Sequence, residues 1–339
     1  MPNLTATQLL KAITKAQNSI MGEPEMRTYE HSLIGRLLSN DNDVFRNLNA
    51  LKKSDEQPTK AILFNRDYQV SGTAKAHDHT AANFADSFEK DIAYIKRNQT
   101  FKVSYKQADN NQFTYDEILQ HNIKNAIINL YEDISAYAVG WLDTNRSQVG
   151  IDSLMLFDDV TNYRFDNALA DKDNFFEYLK SCMRKNKYRP MYDVVGDQLN
   201  AAEFRRIGAQ GSGNSTNLSY TIPGLSYVEE EQIANSAAGL CYAWAKGMVG
   251  MTSWNEPLNR RGLGSPDANE GMFTTFGDPI FNLTHDLHIQ RSIADTSGSA
   301  GNVQDVVDEY ELTTIFTVQG AFESTANAGP IFKFEQAAS

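Results

Sequence analysis

Residues 113–142 read FTYDEILQHNIKNAIINLYEDISAYAVGWL, and this stretch predicts one helix that runs its whole length. Thr114 and Glu117 have the spacing of a capping box, in which each side chain accepts a backbone N–H at the start of the helix. Apolar residues then recur every three or four positions, and no proline interrupts them. They are Leu119, Ile123, Ala126, Ile127, Leu130, Ile134, Tyr137, Ala138 and Trp141. At about 1.5 Å per residue the helix would be roughly 40 Å long, which suits an ordinary α/β core or a structural spine.

Two shorter amphipathic helices are predicted ahead of it, within residues 5–51. The sequence Gly-Glu-Pro at 22–24 separates them, because proline cannot continue a helix. Their apolar stripes are narrow, so we expect these helices to form an arm that lies on another surface. The stripes comprise Leu9, Leu10, Ile13, Ala16 and Ile20 in the first helix, and Tyr29, Leu33, Ile34, Leu37 and Leu38 in the second.

Residues 58–112 have a different character. KAILFNRDYQVSG at 60–72 and TFKVSYKQAD at 100–109 are typical of strands, and the sequence between them is small, polar and charged. A long segment with so little apolar surface predicts an extension between two strands and not part of a core. We place the distal part of this extension at 72–98.

The remainder of the chain mixes both kinds of element. The pattern predicts a strand at 154–165, a helix at 174–187 opened by Asp173 or Asn174, and a flexible Gly/Ser/Asn loop at 207–219. The apolar run GLCYAWAKGMVGMTSW at 239–254 predicts a buried strand or a buried helix, because periodicity alone cannot separate the two. From about residue 272 onward the sequence predicts strands.

Composition argues against several classes of protein. The formal net charge is −12 and the sequence pI is near 5.0, so tight general binding to nucleic-acid phosphates is not expected. We interpret RKNKYR at 184–189, and the pair Arg260 and Arg261, as solvated faces. Cys182 and Cys241 make no disulfide framework and no CxxC pair, which favours a reducing compartment. No signal peptide and no membrane span are expected.

The motif with the clearest chemical meaning is Asn-Glu-Pro at 255–257. Many (β/α)8-barrel glycosidases carry this sequence after the fourth strand, where the glutamate, here Glu256, is the general acid/base. Such a barrel needs four more β-α units, and too few residues remain after 257, most of them strand-like. We therefore interpret the motif as a turn.

Two histidine pairs have spacings that can suit a metal ion. His77 and His79 lie in the polar extension with no third ligand in view. His285 and His288 lie three apart, but the strand-like pattern around them would separate their rings. The sequence therefore predicts no catalytic, cofactor-binding or metal-binding residues.

The layout as a whole resembles the major capsid protein of tailed double-stranded DNA phages, the Hong Kong 97-type coat fold. Residues 101–140 resemble the passage of that family that leads from a strand into its spine helix. Residues 273–334, which close with Pro-Ile-Phe-Lys-Phe, resemble its C-terminal region. This resemblance covers most of the chain.

The resemblance implies an α+β fold in five segments. They are an N-terminal arm at 1–57, an extended loop at 58–112, the spine helix with the first part of the peripheral domain at 113–174, an axial domain at 175–270, and return strands of the peripheral domain at 271–339. The arm and the loop would reach onto neighbouring subunits, with Phe84, Phe88 and Ile92 as apolar contacts. Some members cross-link a Lys to an Asn. Lys75 and Lys90 lie in the loop, but nothing marks their partners.

The implied function is a non-enzymatic coat subunit that self-assembles into hexamers and pentamers of an icosahedral head around double-stranded DNA. It would assemble in the host bacterial cytoplasm and end in the virion capsid, with no membrane partner. A separate scaffolding protein, a portal and decoration proteins would be its other partners. Two alternatives stay open: an encapsulin-type shell protein that houses an enzyme cargo, and a glycoside hydrolase with Glu256 as its acid/base.

Overall fold

The structure is a computed structural model, which describes residues 6–23, 32–40, 60–64, 87–110, 112–147, 157–159, 162–166, 175–189, 191–211, 222–233, 239–254, 272–281, 283–295, 304–320 and 329–337. The helices are α1 (Ala6–Gly22), α2 (Leu33–Ser39), α3 (Tyr105–Asn110), α4 (Tyr115–Thr144), α5 (Phe175–Lys185) and α6 (Gln198–Gly211). The strands are β1 (Lys60–Phe64), β2 (Ser87–Asp91), β3 (Ile95–Ser104), β4 (Phe157–Asp159), β5 (Asn162–Asp166), β6 (Tyr192–Gly196), β7 (Leu225–Glu229), β8 (Leu240–Ala245), β9 (Val249–Ser253), β10 (Met272–Gly277), β11 (Thr284–Asp295), β12 (Gln304–Gly320) and β13 (Ile331–Ala337).

The described strands form three sheets. β1 and β2 make a two-stranded antiparallel ladder of their own. A second sheet, which we call the antiparallel sheet, has the order β10-β11-β12-β3, with β9 paired to the far end of β12. A third, which we call the mixed sheet, has the order β4-β5-β13-β8-β6-β7 and contains both parallel and antiparallel pairs. The chain combines these three sheets with separate helices, so it is an α+β protein.

Helix α4 is the long helix that the sequence predicts, and its capping box is present. The Glu117 carboxylate accepts the Thr114 N–H at 2.9 Å, and the Thr114 hydroxyl accepts the Glu117 N–H at 3.4 Å. The predicted apolar stripe is buried from end to end. The buried residues are Leu119, Ile123, Ala126, Ile127, Leu130, Tyr131, Ile134, Ser135, Ala138 and Leu142, while Tyr137 and Trp141 are half-buried against the same core.

The two predicted arm helices exist within the described residues as α1 and α2. Leu9, Ile13 and Ile20 of α1 are buried in the core around α4, whereas Leu10 is 48% exposed, so its place in the predicted stripe is wrong. α1 and α2 contact α4, and β3 and β12 contact it as well. The arm helices therefore lie on the long helix of their own chain.

The ambiguous run at 239–254 forms two strands that belong to different sheets. β8 lies in the mixed sheet and β9 in the antiparallel sheet. Side chains of β8 alternate between two cores: Trp244 joins the core around α4, while Cys241 and Ala243 join a second core with α5 and α6. Because both faces of the strand are covered, its apolar run is continuous and carries no period.

Several predicted boundaries were wrong. The strand expected at 100–109 is β3, which starts at Ile95 and gives way at Tyr105 to the short helix α3. β3 pairs with β12, and the partner of β1 is β2. Residues 207–211, expected in a flexible loop, complete helix α6. The local pattern of apolar residues could not predict these strand boundaries, because the strands that pair with each other are distant in the sequence.

Strand pairing also crosses the predicted five-segment division. β13 comes from the segment 271–339, yet it pairs with β8 from the segment 175–270. β9 makes the reverse exchange, since it pairs with β12. The two C-terminal segments are therefore interlocked through strands, and the division itself stays a prediction.

Burial of the α4 face can be tested with two charge insertions. Ala126→Asp and Leu130→Asp each place a carboxylate in the packed face, so we expect each to lower the free energy of unfolding by at least about 3 kcal/mol. Asn129→Asp lies on the exposed face and should change it by less than about 0.5 kcal/mol. Denaturant unfolding followed by circular dichroism measures all three. Equal stabilities would contradict the packing described for α4.

Candidate assembly surfaces

The β1–β2 ladder pairs with none of the other strands in the described part of the chain. Lys60 lies opposite Asp91 at its base, and Phe64 lies opposite Ser87. Lys60 Nζ is 2.8 Å from Glu89 Oε1, and both side chains are more than half exposed. The hydrogen bond to Glu89 raises the pKa of Lys60. A lone two-stranded ladder is marginally stable in water, so this extension requires a further surface to lie on.

The extension is anchored where it rejoins the body of the chain. Residues 92–94 connect β2 to β3, and there Ile92 is only 6% exposed. The ring of Tyr94 lies 6.5 Å from that of Trp254, measured between centroids. Ile92, expected to contact a neighbouring subunit, is thus buried in its own chain. Phe84 and the side chain of Phe88 lie outside the described residues.

A buried polar cluster joins the start of α3 and the start of α4 to the antiparallel sheet. Asp308 on β12 is fully buried. Its Oδ2 accepts the hydroxyl of Tyr105 at 2.8 Å and that of Tyr115 at 2.7 Å, while its Oδ1 accepts Arg291 Nε at 2.8 Å. The hydroxyls of Tyr115 and Tyr310 are 2.8 Å apart. We call these five residues the Asp308 cluster.

Aromatic stacking and desolvation reinforce the Asp308 cluster. The rings of Tyr105 and Tyr115 stack with centroids 4.9 Å apart, and the Arg291 guanidinium lies 5.2 Å from the centre of the Tyr105 ring. Burial, together with the bond to Asp308, raises the pKa of Tyr105 to about 12. Burial also raises the pKa of Tyr115 and of Tyr310. The tyrosines therefore remain protonated donors at neutral pH, and the cluster holds α3 and α4 against the antiparallel sheet.

The other end of α4 is held by Asp143. Its Oδ1 accepts the Tyr242 hydroxyl at 2.8 Å and the Lys333 ammonium at 2.9 Å, and Arg146 NH1 lies 2.9 Å away. Burial would raise the pKa of Asp143, but the bonds from Lys333 and Tyr242 outweigh it and lower that pKa. Because Tyr242 and Lys333 lie on β8 and β13, this contact fixes the helix end to the mixed sheet.

Helix α2 is tied to the mixed sheet through a buried carboxylate. Asp193 on β6 is 1% exposed, its Oδ1 lies 3.4 Å from Arg36 NH1, and its Oδ2 accepts Asn40 Nδ2 at 3.2 Å. Arg36 also donates to the Ser226 hydroxyl at 2.5 Å. Burial raises the pKa of Asp193 despite these partners. The arm is therefore docked by specific polar contacts as well as by its apolar stripe.

One face of the antiparallel sheet packs on α4, and the opposite face, which we call the outer sheet face, is polar. On it Lys102 Nζ donates to Glu309 at 2.7 Å, and Asn98 Nδ2 donates to Glu311 at 3.0 Å. The ring of His288 stacks on Phe273 with centroids 4.3 Å apart. A cavity of about 300 Å³ opens beside Lys102, His288, Glu309 and Glu311. A sheet with one buried face and one polar face is ordinary for antiparallel strands, and it leaves the outer face available for contacts.

The residues that the sequence offered as candidates for catalysis or metal binding do not come together in one site. His285 is buried, with Nδ1 2.6 Å from Thr314 Oγ1 and Nε2 3.4 Å from Asp278 Oδ2. His288 stacks on Phe273 on the outer sheet face, so the two rings are separated, as the sequence predicts. Within the described ranges, no group of three or more His, Cys, Asp and Glu side chains could hold a metal ion. Lys75, His77, His79 and Glu256 lie outside those ranges, as does the side chain of Lys90. Cys182 and Cys241 are free thiols.

None of the helices in the described part of the chain has the length and apolar character needed to cross a membrane.

Comparison with known proteins identifies the fold. No protein-family model matches the chain, and no curated protein matches it in sequence. A solved structure from Mycobacterium phage Che8 is similar over 89% of this chain and 90% of its own, with 10% identity and a TM-score of 0.52. The capsid of Ralstonia phage GP4 aligns over 85% and 86%, with 7% identity and a TM-score of 0.47. The capsid of a native GTA particle aligns over 84% and 86%, with 11% identity and a TM-score of 0.45. The predicted α+β fold of the Hong Kong 97 type is confirmed.

Sequence reasoning missed the Asp308 cluster. Its members come from four separate parts of the chain, so no local spacing connects them. One signal was present: in a strand, Asp308 shares a face with Tyr310 and Leu312, which places a carboxylate on an otherwise apolar face. A carboxylate there requires buried donors.

The Asp308 cluster generates a sharp stability test. Asp308→Asn keeps the shape of the side chain but leaves Arg291 as a mostly buried charge without its counter-ion, so we expect a loss of about 3–5 kcal/mol in the free energy of unfolding. Glu311→Gln, on the outer sheet face, is the matched control and should cost less than about 0.5 kcal/mol. Adding Arg291→Gln to Asp308→Asn should recover part of the loss. A near-neutral Asp308→Asn would show that the cluster does not hold the sheet to α4.

Asp278 gives a test that depends on pH. Burial would raise its pKa, but the bonds from His285 and the backbone N–H of Ile280 outweigh that and lower it. A carboxylate with a lowered pKa in the folded state stabilises the protein above its unfolded pKa of about 3.9, and this stabilisation is lost as the pH falls further. We expect Asp278→Asn to melt below the parent protein at pH 7, with the gap narrowing below about pH 4. A gap that stays constant with pH would contradict the assignment.

Proposed function

We propose that the chain is the coat subunit of a phage head, which self-assembles into hexamers and pentamers of a closed icosahedral shell around double-stranded DNA. The observation that carries this proposal is the β1–β2 ladder, an extended element that pairs with no other described strand. Extended elements bury little of their own surface, so they become stable only against neighbours. The Hong Kong 97-type fold supports the same conclusion.

The geometry suits a wall-forming subunit. α4 spans the body of the chain as a brace, with Tyr115 near one end bound to the antiparallel sheet and Asp143 at the other end bound to the mixed sheet. The ladder would lie on a neighbouring copy, whose outer sheet face offers polar side chains that it can contact. The proposed subunit keeps the five predicted segments, with the arm helices α1 and α2 lying on α4 of their own chain.

The partners follow from the same proposal. A separate scaffolding protein, a portal and decoration proteins would be the other partners of the shell. The shell would form in the host bacterial cytoplasm and remain in the virion capsid. A net charge of −12 suits a wall that encloses DNA without binding its phosphates tightly.

We infer that the chain has no catalytic activity. The Thr314 hydroxyl lies beside His285, but both side chains are fully buried and out of reach of a substrate. Asn-Glu-Pro at 255–257 is interpreted as a turn. A glycosidase assay on aryl glycosides tests the alternative: activity in the parent that Glu256→Gln abolishes would establish Glu256 as an acid/base.

The proposal predicts that the extension is needed for assembly and not for folding. Lys60 and Asp91 lie directly opposite each other, so a few Gly/Ser residues can replace 61–90 without moving the body of the chain. We expect this deletion to retain cooperative melting, since loop closure changes stability only slowly with length. Electron microscopy should show shells from the parent protein and none from the deletion.

A double substitution, Lys60→Ala with Glu89→Ala, is the matched control. It removes only an exposed ion pair, so shells should still form. Normal shells from the deletion would remove the extension from the assembly argument, and an unfolded deletion would place 61–90 in a core. Shells filled with DNA in infected cells support a phage coat. Shells that enclose a co-purified enzyme would instead favour the encapsulin-type alternative.

A further inference from the structure

Two buried carboxylates lie where helix α2 meets the rest of the chain. Asp193 on β6 is 1% exposed and lies directly opposite Trp244 of β8, on the face of the mixed sheet that joins the core around α4. Glu230, just after β7, is 7% exposed, and its backbone N–H donates to Gly196 O at 2.9 Å. Carboxylates are almost never this buried unless they are paired, so the groups that face these two decide how the interface behaves.

The charge of Asp193 is only partly compensated. Arg36 on α2 pairs with it, but Arg36 NH1 lies 3.4 Å from Asp193 Oδ1, which is longer than an ordinary hydrogen bond. Within the described residues Oδ1 accepts no hydrogen bond, whereas Oδ2 accepts Asn40 Nδ2 at 3.2 Å. Lys246, after β8, is a further cation that acts on this carboxylate. Asp193 is therefore a buried charge with one poorly satisfied oxygen.

Glu230 is surrounded by neutral groups. Its carboxylate faces the backbone N–H of Leu33 in α2 and the hydroxyl of Ser135 on α4. It also accepts the Gln232 N–H at 3.3 Å. The charged group that acts on it is Glu231, which has the same sign. Helix α2 thus packs over a carboxylate that pairs with no Lys or Arg in the described part of the chain.

Packing of α2 over these two groups changes how readily they hold a proton. Desolvation favours the neutral acid over the carboxylate unless donors and cations offset it. Burial accordingly raises the pKa of Asp193 and the pKa of Glu230, and their partners offset it only in part. Because α2 supplies contacts to both carboxylates, displacing it would expose them to water and return each pKa toward its ordinary value. The docked state therefore binds more protons than the displaced state, and a falling pH favours it.

We propose that the docking of α2 is coupled to proton uptake by Asp193 and Glu230, so that the arm is held most firmly in mild acid and opens more readily as the pH rises. The stabilisation is complete below the ordinary carboxyl pKa of about 4, and it is lost as the pH rises through the raised pKa values of the docked state. This coupling is a property of the single subunit and does not rest on the proposed shell function.

Hydrogen exchange followed by mass spectrometry tests the coupling in the full-length chain, kept as free subunits by low concentration. The readout is the protection factor of the α2 amides between pH 5 and pH 8, compared with that of the α4 amides. We expect α2 protection to fall at least about threefold from pH 5 to pH 8 while α4 protection changes little. Protection of α2 that does not fall over this range, or that falls only in step with α4, would overturn the inference.

Glu230→Gln gives a sharper comparison, because the amide keeps the size and an acceptor oxygen of the carboxyl group and is neutral at every pH. At pH 8 this variant should protect α2 at least about threefold better than the parent, and the difference should shrink at pH 5. Glu132→Gln removes an exposed carboxylate from α4 and is the matched control, which should follow the parent.

The result at pH 8 decides between two roles for the carboxylate. Protection of α2 in Glu230→Gln that is no better than in the parent would show that the charged form holds the arm, and the inference would fail. Should Glu230→Gln not fold, Asp193→Asn provides the same comparison: its α2 protection should depend less on pH than that of the parent, and an unchanged pH dependence would contradict the coupling.

Discussion

Burial of one face of α4 is the constraint on which the rest of the structure depends. The helix is too long to be covered by any single neighbour, and α1, α2, β3 and β12 all contact it. Each of these elements is itself amphipathic and gains a buried face by doing so. A long helix in a small protein is stable only when such neighbours cover it, because helix propensity alone contributes little. The layered body of the chain is the consequence.

At the two ends of α4, polar contacts fix the position of the helix against the sheets. Apolar packing is non-directional, and it allows a helix to slide or rotate along a sheet. The Asp308 cluster near the N-terminal end and Asp143 at the C-terminal end remove that freedom, because each requires several donors at hydrogen-bond distance. Buried polar networks of this kind add specificity more than net stability.

The parts of the fold that sequence could predict are those governed by local rules. The capping box and apolar stripe of α4 depend on residues three or four apart, and both are present. β3 shows where such rules fail: its first half contains Lys96, Arg97 and Asn98, which local preference does not favour in a strand, yet pairing with β12 recruits them. The local sequence also gives no sign that β9 pairs in the antiparallel sheet and β13 in the mixed sheet. The Asp308 cluster was harder still to predict, because its members meet only after the antiparallel sheet has formed.

The structure divides the chain into a body that satisfies itself and elements that do not. In the body, buried carboxylates such as Asp193 and Asp308 have partners, and the apolar faces meet one another. The β1–β2 ladder, by contrast, pairs with no other strand in the described part of the chain and has an exposed ion pair at its base. A natural chain rarely keeps such an isolated pair of strands without a use, because two strands alone are marginally stable in water. Under the proposed function, a neighbouring copy covers the ladder without disturbing the packed body, as is required of a subunit that folds first and assembles afterwards.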